Sequence, residues 1–240
     1  MKKILVLGTT FILALTLFGR GALAAPTASE VTGTWYLFSI EVEGTLFNTA
    51  SLNMDTAMTL MEDNTATIVA LNKNTQEATW AMEADRIVVT TGNASESYAL
   101  SDGCLIKEGF GGMTMLYGRE QPTAEPVVLP PIRVDAVLGD FNGKWVGYAF
   151  YQEGRMIPLI MGLVFEASLE IENGSVTCSI VSDAPFKEDY SGAFEGGELI
   201  VVSNNVHEDD MGTLTLAMRE DGTLSSLLQK DYYMLFRKAQ

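Results

Sequence analysis

The chain has 240 residues, of which 47% are apolar, with 31 acidic and 15 basic side chains, a formal charge of −16 and a single histidine. The acid is spread evenly, with 13 acidic and 4 basic groups over 25–120 and 18 and 8 over 121–240. No basic stripe exists to meet phosphates, which excludes nucleic acid and anionic membrane as expected partners, and no EF-hand spacing of carboxylates points to calcium.

Lys2 and Lys3 precede an apolar run from Ile4 to Phe18, and Ala22-Leu23-Ala24 follows. This is the pattern of a signal peptide over 1–24, cleaved after Ala24. The run is shorter than the roughly 20 residues a spanning helix needs. No cysteine follows the cleavage site to carry a lipid, and no second long apolar run appears. The expectation is an exported, extracytoplasmic protein with no membrane insertion after cleavage. Loss of Lys2, Lys3 and Arg20 takes its charge from −16 to −19.

The remainder is organised around a stretch that occurs twice, Gly33-Thr34-Trp35-Tyr36-Leu37-Phe38 and Gly143-Lys144-Trp145-Val146-Gly147-Tyr148. Trp35 matches Trp145 and Glu43-Gly44 matches Glu153-Gly154, both at an offset of 110. Asp102-Gly103 matches Asp221-Gly222 at 119, and Arg119 is paired with Arg237 at 118. A longer polar loop in the second copy, Asn204 to Asp210, accounts for the increase. Conserved order over so long a period is the mark of tandem duplication.

Between the copies, 121–133 holds Pro122, Pro126, Pro130 and Pro131. Proline cannot donate to a sheet ladder, so this segment reads as an extended spacer between units at 25–120 and 134–240.

Within each unit the apolar period is two. The first predicts strands near 34–43, 57–62, 65–71, 77–82, 85–91, 96–100, 104–109 and 112–119. The second predicts strands near 144–152, 163–172, 175–182, 187–194, 198–203, 212–219, 223–229 and 231–237. Asp63-Asn64, Asp102-Gly103, Asn173-Gly174 and Asp221-Gly222 supply tight turns. Only 48–55 offers a short helix. The fold class is therefore all-β, as two tandem eight-stranded antiparallel up-and-down barrels, a form that closes its own edges.

A Gly-x-Trp opening the first strand and an arginine closing the last resembles the lipocalin, or calycin, pattern, in particular the compact lipocalin-like domains of secreted bacterial proteins. That resemblance implies a tryptophan packed across one barrel end beneath the arginine. Gly33, Trp35 and Arg119 would form one such end, and Gly143, Trp145 and Arg237 the other. Each unit is much shorter than a full lipocalin, and neither its middle motif nor its C-terminal helix has a counterpart.

Candidate chemistry is sparse. His207, in His207-Glu208-Asp209-Asp210, lacks the further His or Cys ligands of a transition-metal site and reads as a loop tip. There is no Gly-x-Ser-x-Gly elbow, no Gly-rich phosphate loop before a helix, and no marked carboxylate pair. No enzyme, metal or cofactor is expected. An exported protein could join Cys104 and Cys178, but Cys178 alternates with Val176 and Ile180 on an apolar face while Cys104 follows a turn, so two buried free thiols are expected ahead of a disulfide. Met54, Met58, Met61, Met82, Met113 and Met115 could line a pliable pocket or fill core gaps. The first strand of each unit is apolar on both faces, with Trp35 and Leu37 opposite Tyr36, Phe38 and Ile40. An outer face of this kind predicts packing against the linker, the other unit or another molecule.

The expected role is a secreted, non-catalytic binding protein, with a small apolar ligand held in a lipocalin-like barrel. The alternative is a structural, adhesive or inhibitory protein-interaction module with filled barrels. An eight-stranded barrel is wide enough for either.

Overall fold

The computed structural model describes residues 26–70, 73–204 and 212–239, and of Phe110 the backbone only. The expected signal peptide and the His207 loop tip lie outside the described residues.

Nine strands build each half. The first half contains β1 (Gly33–Val42), β2 (Thr45–Asn48), β3 (Ala57–Leu60), β4 (Thr65–Val69), β5 (Thr75–Glu83), β6 (Arg86–Thr91), β7 (Ala94–Ser101), β8 (Cys104–Glu108) and β9 (Thr114–Gly118). The second contains β10 (Gly143–Gln152), β11 (Arg155–Pro158), β12 (Val164–Glu172), β13 (Ser175–Ser182), β14 (Phe186–Glu195), β15 (Glu198–Ser203), β16 (Thr213–Met218), β17 (Leu224–Gln229) and β18 (Tyr232–Lys238). Binary alternation drives them. Along β12, Ala167, Leu169 and Ile171 are buried while Glu166, Ser168, Glu170 and Glu172 face water. The turns between strands take the left-handed conformations that Asp-Gly and Asn-Gly pairs tolerate, as at Asp102-Gly103 (φ 51° and 77°) and Asn173-Gly174 (φ 50° and 90°).

The long first strand closes each barrel. The N-terminal half of β1 pairs with β3, its C-terminal part pairs with β2, and its other edge pairs with β9. β10 repeats this with β12, β11 and β18. Each half is thus a closed eight-stranded antiparallel barrel with one short auxiliary strand. The auxiliary strands β2 (Thr45–Asn48) and β11 (Arg155–Pro158) were not expected. The expected helix over 48–55 is not formed. Successive turns over 49–53 replace it, anchored by the buried Thr49 hydroxyl, which donates to Leu37 C=O at 2.6 Å.

A one-turn helix precedes each barrel, α1 (Ala28–Val31) and α2 (Leu138–Phe141). Glu30 accepts from Thr27 N–H, and Asp140 accepts from Val137 N–H, which holds the turn at its start. The last residue of each turn receives an indole: Trp35 Nε1–H donates to Val31 C=O and Trp145 Nε1–H to Phe141 C=O, both at 2.7 Å.

Each barrel has its own core, and a third cluster joins Phe47 of the first half to Ala149 and Leu235 of the second. Leu129 of the linker, Tyr148, Tyr151 and Tyr233 pack against it. The outer face of β10 therefore does meet the linker and the other unit. In β1 the face bearing Trp35 and Leu37 is the inner one, packed into the first core.

The linker is strapped down rather than spanning free. Val127 N–H donates to Gly154 C=O, Arg219 donates to Pro130 C=O at 2.6 Å, and Ile132 bridges to Arg219. From the first barrel, Asn48 donates to Thr123 C=O and Ser51 to Glu125 C=O. The prolines lack donors, but the carbonyls of the segment are used.

Candidate functional site

The two repeated barrel ends come first. Gly33 and Gly143 have φ of 107° and 122°, conformations closed to other residues, and a Cβ on Gly33 would lie 2.9 Å from the Arg119 guanidinium. Arg119 lies over the Trp35 ring at 3.5 Å and donates to Glu30 C=O at 2.7 Å. The second end differs from its expectation. Lys238 stands over Trp145, with Nζ 5.4 Å from the ring centroid. Arg237 instead reaches the first barrel, donating to Glu43 C=O at 3.1 Å and to the Glu43 carboxylate at 3.0 Å.

The reason is register. Tyr36 pairs with Gly118, which leaves Arg119 beside Trp35, whereas Trp145 pairs with Lys238 and Val146 with Arg237. The partner of Arg119 in the repeat is Lys238, at an offset of 119. In a strand a slip of one residue exchanges the faces. At both ends the tryptophan is buried beneath its cation.

The first barrel opens away from the Trp35 end. There a cavity of about 490 Å³ is lined by Leu37, Met54, Met58, Ile68, Met115 and, on the polar side, by Glu96, Tyr98, Lys107 and Tyr117. Alternation positions the polar set: Glu96 and Tyr98 share the inner face of β7, and Lys107 follows the buried Leu105 on β8. Tyr98 OH donates to Glu96 Oε2 at 2.8 Å, and the Lys107 ammonium forms an ion pair with Glu96 Oε1. Lys107 Nζ also sits 5.9 Å from the Tyr98 ring centroid. The Tyr98 and Tyr117 rings meet edge-on at 5.7 Å. Tyr117 OH points to the Met115 thioether at 3.9 Å, a weak acceptor.

Burial by itself would raise the Glu96 carboxyl, but hydrogen bonds from Lys107 and Tyr98 and the charge of Lys107 outweigh it and hold the group below the usual carboxylate range. Burial, followed by the negative charge of Glu96, pushes Tyr117 up to about 12. Burial, followed by Tyr117 and then Glu96, raises Tyr98 as well. Both phenols remain neutral donors at ordinary pH.

The equivalent space in the second barrel is filled. Paired positions (Ile87 with Tyr98, Leu199 with Leu216; Leu105 with Tyr117, Leu224 with Phe236) match Glu96, Tyr98, Lys107 and Tyr117 to Leu214, Leu216, Ser226 and Phe236. Leu37 corresponds to Gly147, and the side chain of Leu159 fills that space, 3.1 Å from where a Gly147 Cβ would stand. Phe150 stacks on Tyr232 with centroids 5.4 Å apart. A buried carboxylate, Glu188, accepts from Tyr190 OH at 3.2 Å and from the Ser203 hydroxyl, deep in this packed interior.

The chain matches no protein-family model and no curated relative. Among solved structures it is similar to a protein of unknown function of the DUF3598 family from Nostoc punctiforme. The two are 14% identical, the match covers 87% of this chain and 94% of the other, and the TM-score is 0.23.

Elsewhere the surface is less directed. A concavity of about 560 Å³ on the first barrel is lined by Thr65, Thr67, Thr79, Thr90 and Glu77 together with Met61, Ala66 and Ala78. Among the described residues no group of three or more His, Cys, Asp and Glu side chains could hold a metal ion. Cys104 is half-buried and Cys178 buried, both as free thiols.

Of the residues of the cavity, sequence analysis singled out three methionines. It missed Glu96, Tyr98, Lys107 and Tyr117. The available signal was the in-register repeat, in which polar and aromatic residues of one copy face leucine, serine and phenylalanine in the other.

Proposed function

We propose that this is an exported, non-catalytic binding protein. Its first, lipocalin-like barrel takes a small molecule with an apolar body, while the second barrel is a filled scaffold docked beside it. The observation that carries this reading is the cavity of about 490 Å³ beside Met54, Met58 and Met115, set against its filled counterpart. Its volume lies within the roughly 300–1,000 Å³ of small-molecule sites, and a mostly apolar lining with a few convergent polar groups is the usual make-up of such sites. The methionines adapt to ligand shape, and the ion pair at the rim supplies orientation.

Native mass spectrometry of the mature chain, before and after incubation with a lipid extract of the producing organism, tests this. The expected result is a retained small mass that organic solvent removes and that Met54→Trp, which blocks the rim, abolishes. A bare protein mass in both samples would overturn the carrier reading.

A second reading rests on a different observation. Met161, Leu163 and Phe165 are 43%, 60% and 44% exposed on one side of the second barrel, and Leu163 is held at φ 61°, where bulky residues are rarely found. Exposed apolar residues in a row favour a protein-interaction role for that barrel. Loss of a cross-linked partner from secreted extract on Leu163→Lys would support it.

A further inference from the structure

We infer that the first barrel selects amphiphiles with an anionic head, and that Glu96 is an internal carboxylate holding the seat such a head would take. The inference rests on the ligand-binding reading of this cavity. Two donors from different strands converge on one carboxylate: Lys107 Nζ on Oε1 and Tyr98 OH on Oε2. A third donor, the buried Tyr117 hydroxyl, has the Met115 thioether at 3.9 Å and the Tyr98 hydroxyl for partners, and no charged acceptor. The polar end of the cavity is therefore rich in donors and short of acceptors.

The partners differ in how firmly they belong to the cavity. The Lys107 side chain is 18% exposed and that of Glu96 is 45% exposed. Glu96 can rotate out and regain water at small cost, whereas Lys107 left alone would be a largely buried, unpaired ammonium. An incoming carboxylate exchanges one acceptor for another at Lys107 and Tyr98, with no change in the charge that is buried. It also offers Tyr117 a charged oxygen in place of a thioether and a neutral phenol, which favours ligand over Glu96. A neutral alcohol cannot compensate Lys107, so Glu96 must stay and the rim remains occupied. A cationic head meets the ammonium of Lys107 directly. The apolar tail then lies along Leu37, Met58, Ile68 and Met115, which already line the deeper wall.

The test is isothermal titration calorimetry of the mature chain with dodecanoate, dodecanol and dodecyltrimethylammonium, each below its micellar concentration, with thermal melts to establish that every variant is folded. Dodecanoate should bind about tenfold or more tighter than dodecanol, as a charge-assisted contact of this kind implies. Lys107→Met should erase that preference, so that dodecanoate binds no tighter than dodecanol. Glu96→Gln removes the internal competitor and should widen the preference for dodecanoate over dodecanol by about a further tenfold. Equal binding of dodecanoate and dodecanol, preference for the cation, or a preference unchanged in Lys107→Met would overturn the anionic seat and leave the cavity reading standing. No binding of any of the three would overturn both.

Discussion

The guanidinium of Arg119 lies 3.5 Å from the centre of the Trp35 ring, so that an arginine just past the strand that closes the first barrel roofs a tryptophan from the strand that opens it. The same side chain donates to Glu30 C=O, tying α1 to the barrel end. Over Trp145 the equivalent cation is Lys238, farther away at 5.4 Å and without the planar fork that lets arginine stack and donate at once.

The two ends should therefore respond unequally to truncation. Arg119→Ala removes a stacked cation and a hydrogen bond and should destabilise the first barrel by about 1–2 kcal/mol. Lys238→Ala should cost about 0.5 kcal/mol or less. Urea denaturation followed by tryptophan fluorescence measures both, and equal losses would contradict the difference in geometry.

Phe47 is almost fully buried against Ala149 and Leu235, across the junction of the two halves. Phe47→Ala should cost about 3–5 kcal/mol, the range for a truncated buried aromatic. It should also separate a shared calorimetric transition into two, since this cluster contains residues of both barrels. Arg237→Ala should change stability by less than about 1 kcal/mol, because its ion pair with Glu43 is exposed. A single, unshifted transition in Phe47→Ala would show that the barrels are coupled by other means.

Acid should destabilise the first barrel through identifiable groups. Glu96 is held below the usual range as described, Glu30 by the backbone N–H and hydroxyl of Thr27, and Asp63 by the hydroxyl and backbone N–H of Thr65. A carboxyl depressed in the folded state adds stability that is complete above the ordinary carboxylate value of about 4.3 and is lost as pH falls through the lower folded value. Melting temperature should hold from about pH 7 to about pH 5 and drop below about pH 4, with a shallower drop in Glu96→Gln. An identical acid limb in that variant would remove Glu96 from the account.

The thiols should be unreactive in the native state. Burial, aided by Glu188, pushes Cys178 up to about 11, and burial followed by the charge of Asp102 raises Cys104. At pH 8 about one Cys178 in a thousand would be thiolate. Ellman's reagent should label Cys104 slowly, Cys178 more slowly still, and both at once in denaturant. Rapid native labelling of Cys178 would mean that the second barrel opens readily.

Much of the fold was legible before any coordinates. Period-two alternation such as Ala167-Ser168-Leu169-Glu170-Ile171 is a local signal that survives in any context, and Asp-Gly and Asn-Gly pairs mark turns by their own backbone preferences. The repeated Gly-x-Trp located the first strand of each barrel for a steric reason, since only glycine tolerates the φ found at Gly33 and Gly143. The auxiliary strands β2 and β11 were invisible. So was the register of the last strand, where a slip of one residue put Arg237 in the place that belongs to Lys238.

The sequence by itself determined that the chain is all-β, that it is duplicated, and that each copy closes its final strand onto its first. Those properties depend on neighbours within a few residues or on comparison of one copy with the other. Only the tertiary structure decided which barrel keeps a cavity. That outcome depends on Leu37 in one copy and Gly147 in the other, on Leu159 filling the second interior, and on Glu96, Tyr98, Lys107 and Tyr117 meeting from three strands. Whether space is filled is set by the summed volume of side chains that converge from distant positions, and no local pattern encodes that sum.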